Sequence, residues 1–267
     1  MLASQRQDRI LSQVREHGAV RVADLVTLLG VSDMTVRRDI AELARAGLVR
    51  RVHGGAVGPD TPARSTEEPG FDAKRTWASA EKAAVARAAV AEVTPGQSLV
   101  LSAGTTTWLL ASLLAADPAL RPLTVVTNGL RVADVLHGVD DVEVVLTGGT
   151  RTPSDALVGP VADATLAGLH VDRAFLGVHG LDAEGATTPN LAEAATDRAL
   201  LRCADVSTVL ADSTKWGTVG LARICRYDEV DTLVLDDGLP ADARRRLDVV
   251  VENLVLAPVS PTSEDQP

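Results

Sequence analysis

Six short apolar runs, set among stretches with helical spacing, constrain this chain more than any other feature in it. Residues 98–101, 123–127, 142–147, 173–178, 208–211 and 232–235 read as buried strands. Segments 106–116, 130–137, 161–168, 190–204 and 240–247 space their apolar residues as helices do. Strands alternating with helices build βαβ units, so the pattern predicts an α/β fold: a mainly parallel, Rossmann-like sheet with helices on both faces. A last run at 249–256 predicts an added edge strand. Aromatic residues are 2% of the chain against 46% hydrophobic residues, so the core must be packed from Ala, Val and Leu.

Ligands of such a sheet bind beyond the carboxyl ends of its strands. The residues there are small, hydroxylated or glycine: Ser102-Ala103-Gly104-Thr105-Thr106-Thr107, Asn128-Gly129, Gly148-Gly149, 177–180 and Asp212-Ser213-Thr214-Lys215. Gly104-Thr105-Thr106 falls at a helix start, where unpaired N–H groups and the helix dipole favour an anion. Lys215 is the nearby cation. Turn-making alone would explain any one of these loops; together they predict a polar pocket. Its candidate residues are Ser102, Gly104, Thr105, Thr106, Asn128, Gly148, Gly149, Glu193, Asp212 and Lys215.

Charge divides the chain. Residues 1–57 hold nine Arg, no Lys and six acids, a balance of +3, whereas the remaining 17 basic and 30 acidic residues give −13. A small basic piece on an acidic one suits a DNA-binding module joined to another domain. It also means that an anion in the larger part must be recognised locally, by N–H groups, hydroxyls and Lys215.

The basic piece has its own order. Ser4 is placed to cap a first helix carrying Ile10, Leu11 and Val14, ended by His17-Gly18. Residues 19–22 suggest a short strand, and 23–29 a second helix closed by Gly30. Ser32 is a suitable N-cap for a third helix to about Ala46, and Gly47 supplies a left-handed stop. At 100° per residue, Val36, Ile40 and Leu43 form its buried stripe; Met34, Arg38, Ala41 and Arg45 lie opposite, with Thr35 and Arg37 on the flanks. A strand at 48–52 and the Gly54-Gly55 turn then predict a basic hairpin, or wing. Helix-turn-helix followed by a wing places Ser32, Met34, Thr35, Arg37, Arg38, Arg51, His53 and Gly54 as candidate DNA contacts, with arginines on guanine edges or phosphates.

Residues 58–70 (GPDTPARSTEEPG) are polar and Pro/Gly-rich and read as a linker. Residues 71–93 have a helical pattern, and 258–267 read as a disordered tail. The expected domains are therefore 1–57, a winged helix-turn-helix; 58–70, a linker; and 71–257, a sensing domain. Cys203 and Cys225 have neither metal-ligand nor redox spacing. No metal, cofactor or catalytic residue is expected. No apolar run is long enough for a membrane span, and the opening MLASQRQDRILSQVREHG lacks the apolar region of a signal peptide. A cytoplasmic protein is expected.

The run VADLVTLLGVSDMTVRRDIAELARAGLVRRVHGGA resembles the DNA-binding signature of the DeoR family of regulators. Ser32, Thr35, Arg37, Arg38, Asp39, Gly47, Arg51, His53, Gly54, Gly55 and Ala56 stand in matching positions. Glu81-Lys82, Gly104-Thr105-Thr106, Val126-Thr127-Asn128, Gly148-Gly149, 172–177, 190–194 and 212–215 resemble that family's sensor domain. The resemblance covers about residues 5–256. It implies a fold similar to ribose-5-phosphate isomerase and a phosphorylated sugar or sugar derivative as effector. It also implies a repressor of carbohydrate genes on double-stranded operator DNA. One wing and one recognition helix give modest specificity, so a homo-oligomer, dimer or tetramer, is expected. Ser102 departs from the pattern, standing where the family usually has Asp; serine donates and accepts hydrogen bonds but is no carboxylate base. A phosphosugar isomerase or deaminase carrying a DNA-binding domain is the alternative, with Glu193, Asp212 and Lys215 as its reactive groups. The intact recognition helix and the Ser102 change favour the regulator.

Overall fold

A computed structural model describes residues 2–17, 19–52, 55–58, 63–64 and 70–259. The chain divides into two compact units, Met1–Ser65 and Thr66–Pro267.

In the first unit, α1 (Ala3–His17), β1 (Ala19–Arg21), α2 (Val22–Leu29) and α3 (Asp33–Arg45) precede the hairpin strands β2 (Arg50–Val52) and β3 (Gly55–Val57). The three strands form an antiparallel sheet in the order β1-β3-β2. Ile10, Val14, Val22, Leu25, Leu29, Val36, Ile40, Leu43, Val49 and Ala56 make one buried cluster beneath it. Burying a Val, Leu or Ile side chain contributes about 1.5–3 kcal/mol, so this small core rests on a few residues from each helix. The helix-turn-helix is built from the cap the sequence predicts: Ser32 is extended (φ −68°, ψ 155°) and its hydroxyl accepts from the Thr35 N–H. Gly30 (φ 64°) and Gly47 (φ 71°) take the left-handed conformations that stop α2 and α3. Two details differ from expectation. Ser4 lies inside α1, which starts at Ala3. The wing strand starts at Arg50 rather than residue 48, leaving Leu48 exposed.

The second unit opens with α4 (Phe71–Arg75) and α5 (Ser79–Val90), where the sequence suggests one continuous helix. Ala78, in the left-handed region at φ 47°, separates them. Strands β4 (Ser98–Leu101), β5 (Leu123–Thr127) and β6 (Val142–Leu146) follow, with α6 (Thr105–Ala116) and α7 (Leu130–Leu136) between them. A small hairpin, β7 (Thr150–Arg151) and β8 (Leu157–Val158), leads to α8 (Pro160–Ala167) and β9 (Val171–Gly177). Then come β10 (Gly180–Leu181), β11 (Gly185–Thr188), α9 (Leu191–Arg202), β12 (Ala204–Leu210), β13 (Ala222–Arg226), β14 (Thr232–Asp236), α10 (Ala241–Val250) and β15 (Asn253–Ala257).

The main sheet has seven strands in the order β15-β14-β12-β9-β4-β5-β6. Every pairing in it is parallel. Alternation along each strand feeds two cores. Leu99, Leu101, Val125 and Phe175 pack with Val85, Ala89, Leu110 and Leu114 of α5 and α6. Val100, Val126, Ala174, Leu176 and Leu233 pack on the other side with Leu166, Ala194, Leu200 and Leu247 of α8, α9 and α10. The predicted edge strand at 249–256 is displaced: α10 runs to Val250, and β15 begins at Asn253. The β-branched Val249 and Val250 mimic a strand, but Leu247 behind them completes the buried face of a helix. An antiparallel sheet, β10-β11-β13, is not evident in the sequence: β10 and β11 are two and four residues containing Gly and Thr, and β13 is a five-residue run, Ala-Arg-Ile-Cys-Arg, broken by two arginines.

Strand order reverses between β4 and β9. From β4 the chain builds outward through β5 and β6, and from β9 through β12, β14 and β15. Such a switch point leaves a crevice at the strands' carboxyl ends. Here those ends are Ser102-Ala103-Gly104 and Val178-His179.

Candidate functional site

In the first unit, α3 presents a polar face. Met34 is 74% exposed and Arg38 is exposed, while Val36, Ile40 and Leu43 are buried beneath them. Thr35 and Arg37 are half-buried at the flanks, as the angular reading places them. The Arg37 guanidinium is paired with Asp33 one turn earlier, and the hydroxyls of Ser32 and Thr35 share a 2.8 Å hydrogen bond. Arg51 is half-buried on the wing; His53 and Gly54 lie outside the described residues. One feature escapes helical periodicity. Asp39, 2% exposed, faces inward and accepts from Arg6 of α1, whose Nε and Nη2 lie 2.7 and 3.1 Å from its two oxygens. The pair fixes α3 against α1.

In the second unit, a cleft of about 640 Å³, including its open mouth, lies at the switch point. Of the ten predicted pocket residues, Gly104, Thr105, Thr106, Glu193 and Lys215 line it. The start of α6 forms one wall, its first residues Thr105, Thr106 and Thr107 all buried. Glu193, in the first turn of α9, is positioned by Asn190, whose side chain accepts from the N–H groups of Ala192 and Glu193. Its Oε1 accepts a 2.6 Å hydrogen bond from Ser154.

Ser102, Asn128, Gly148, Gly149 and Asp212 are not in the lining. Ser102 and Asn128 shape the loop from behind. The Ser102 hydroxyl accepts from the Gly177 N–H at 2.9 Å and donates to the Ala103 carbonyl at 3.3 Å, joining the ends of β4 and β9. The Asn128 side chain accepts from the Ala103 N–H at 2.8 Å and donates to the Leu157 carbonyl at 3.2 Å. Gly148 (φ 72°) and Gly149 (φ 122°) answer a backbone need: a Cβ on Gly149 would sit 2.7 Å from the Val158 carbonyl oxygen. Asp212 is fully buried, and its Oδ2 has no hydrogen-bond partner among the described residues.

The cleft also gathers residues outside the predicted set: Lys74, Lys82, Ser154, His179 and Asp197. Lys82 is 2% exposed, and its ammonium donates to the Lys74 carbonyl at 2.7 Å. Burial lowers its pKa to about 8, helped by the charges of Lys215 and Lys74 and opposed by Asp212. Burial, then Lys215 and Lys74, brings His179 down to about 3, so its imidazole is neutral at pH 7. Three lysines therefore converge on one cleft in a domain of strong negative charge. Helical spacing marks neither Lys74 nor Lys82 as inward-facing, although Glu81-Lys82 is among the positions that resemble the family's sensor domain; the lowered pKa of Lys82 arises only on burial in the fold.

Each of the two compact units contains a match to a family profile. That of the DeoR-like helix-turn-helix domain matches residues 6–61. That of the DeoR C terminal sensor domain matches residues 77–237. The chain belongs to the DeoR family. A DeoR-type relative, the HTH-type transcriptional regulator GlpR of Haloferax volcanii, is 36% identical over 250 residues, 93% of this chain and 95% of its own length. The lactose phosphotransferase system repressor of Staphylococcus aureus is 33% identical over 235 residues, 87% of this chain and 91% of its own. Such relatives are named as transcriptional regulators and repressors, so the DeoR chain is a DNA-binding regulator and the enzyme alternative is set aside. A ribose 5-phosphate isomerase A structure from Methanocaldococcus jannaschii overlaps 51% of the DeoR chain and 53% of its own, at 18% identity and a TM-score of 0.37, too slight a likeness to argue from. No helix among the described residues is long and apolar enough to cross a membrane.

Proposed function

We propose that the cleft binds a phosphorylated sugar or a related phosphorylated metabolite, and that binding changes the affinity of the N-terminal unit for operator DNA. One observation carries the reading: Lys74, Lys82 and Lys215 meet the start of α6 in a cleft that also holds Glu193 and Asp197. The ammonium groups and the Gly104-Thr105-Thr106 amides suit a phosphate; the carboxylates suit sugar hydroxyls. Ser102, Asn128, Gly148, Gly149 and Asp212 act behind the lining, by shaping the loops and balancing charge. A relative named for a lactose system supports carbohydrate genes as targets. The domains in this reading are 1–57 for DNA, 58–70 as linker, 71–257 for sensing and 258–267 as tail. The chain acts as a homo-oligomer, dimer or tetramer, because one recognition helix and one wing read too few base pairs alone. Its effector relieves repression.

The test is a melting-temperature screen of the full chain with phosphorylated sugars and their free counterparts. A bound ligand raises the melting temperature by mass action. Shifts with phosphorylated members alone are expected; equal shifts with the free sugars, or none at all, would overturn the phosphate reading.

A pH profile follows from Lys82. Its pKa near 8 means that the free cleft loses one positive charge as pH rises through that value. Affinity for a phosphate dianion should fall by up to about tenfold per pH unit above 8. Titration calorimetry at pH 7 and pH 9 measures this, and unchanged affinity would remove Lys82 from the site.

On DNA, Ser32, Met34, Thr35, Arg37, Arg38, Arg51, His53 and Gly54 form the proposed contact set. Arg38 is exposed on the outward face of α3. Arg38→Ala should weaken operator binding by about 1–3 kcal/mol, roughly 5–150-fold, at fixed salt. Wild-type affinity in a mobility-shift titration of that variant would show that Arg38 does not enter the groove.

A further inference from the structure

The five residues of α4 are too few to form a stable helix unaided, so its position depends on what grips it. Phe71 is buried edge-on against Trp108 of α6, with ring centroids 5.9 Å apart. The Arg131 guanidinium of α7 lies 5.5 Å above the Phe71 ring. At the other end of α4, the Lys82 ammonium holds the Lys74 carbonyl at 2.7 Å, and both lysines line the cleft.

A second tie reaches the opposite wall. Arg131 pairs with Asp155 at 2.7 Å, and Asp155 stands between Ser154 and Ala156, both of which line the cleft. Asp155 holds a left-handed backbone at φ 61°, a conformation that persists in a non-glycine residue only when its surroundings enforce it. One end of α4 is thus fastened to a lysine of the cleft, and the other, through Arg131 and Asp155, to the chain neighbours of two lining residues. In sequence, α4 is the first element after the segment leading from the N-terminal unit.

We propose that α4 is the element that passes occupancy of the cleft to the DNA-binding unit. The proposal rests on the phosphate reading above. An anion drawn to Lys74 and Lys82 competes with the Lys74 carbonyl for the Lys82 ammonium, and so re-aims the end of α4. Phe71 makes the response cooperative, because its ring is seated between α6 and Arg131 and moves with the helix or not at all.

The experiment uses the full chain, inorganic phosphate replacing chloride at equal ionic strength, and a duplex recovered from a random pool by the wild-type protein. Three quantities are read: melting temperature, hydrogen exchange of the 70–78 amides, and DNA affinity with and without phosphate. In wild type, phosphate should raise the melting temperature, alter exchange across 70–78 and change DNA affinity within the about 5–150-fold range of allosteric couplings. Phe71→Ala, and the milder Phe71→Leu, should keep the phosphate-induced rise in melting temperature but lose most of the change in DNA affinity. A melting temperature that rises without any change in exchange overturns the proposal alone. So does a full DNA response in both variants. A wild-type melting temperature that phosphate leaves unmoved overturns the phosphate reading and this proposal with it.

Discussion

Lys82→Met is expected to lower phosphate affinity by about one to two orders of magnitude, because it removes a charge-assisted hydrogen bond worth roughly 1.5–3 kcal/mol. The folded protein without ligand should tolerate the change. The Lys82 ammonium is nearly buried and held well below its ordinary pKa, so keeping it charged at pH 7 opposes folding, and an apolar side chain of similar length removes that opposition. The lost bond to the Lys74 carbonyl works in the other direction. A second signature separates the effects. A lysine whose pKa is about 8 when folded and 10.5 when unfolded binds more protons in the unfolded chain between those values. Its contribution to stability therefore rises with pH across that window. Chemical denaturation at pH 8 and pH 10.5 should show this rise in wild type and not in Lys82→Met. A variant that binds phosphate as tightly as wild type would move the site away from this lysine.

The largest effect on the DNA side is expected from a residue that never reaches DNA. Ile40 is 2% exposed within the small N-terminal core. Truncating such a side chain to Ala typically costs about 2–5 kcal/mol. Natural domains have only about 5–15 kcal/mol of stability in total, so Ile40→Ala should leave the first unit partly or wholly unfolded at 37 °C. Operator binding should fall with it, while amides of β4, β9 and β12 keep their protection in hydrogen exchange. Protection lost equally in both units would show that the compact units are not energetically separate.

Much of this architecture is legible in the sequence, for identifiable reasons. The N-terminal helices carry their own punctuation: Ser32 as cap, Gly30 and Gly47 as stops, and a stripe of Val36, Ile40 and Leu43 at helical spacing. The parallel strands are legible because burial on both faces leaves apolar runs such as Leu99-Val100-Leu101. Where the chain departs from such local rules, reading fails. The break between α4 and α5 turns on Ala78, a residue with no preference for a left-handed backbone, so nothing local announces it. The strands β10 and β11 are short, and their glycines and threonines resemble loop composition, while the two arginines of β13 interrupt its apolar run.

The cleft shows the same division. Gly104-Thr105-Thr106 and Lys215 follow directly from strand ends, and Glu193 lies on a helix start that the sequence marks with Asn190. Lys74 and Lys82 lie in segments whose alanines and charges suit an exposed helix as well as a buried one. Only tertiary packing decides which lysine enters the protein. Ser102 illustrates the reverse: its hydroxyl is occupied by Gly177 and Ala103, so its influence on a ligand is exerted through the shape of the loop.

The bond between Arg6 and Asp39 bears on how the regulator is handled at the bench. The surface of α3 proposed to meet the duplex is registered from behind, by a residue five positions from the chain's first methionine. Trimming the amino terminus back past Arg6 would strand a carboxylate under the reading head and let α3 roll about its long axis. Sequence preference would blur before affinity for bulk DNA declined, although no residue facing the bases had been touched.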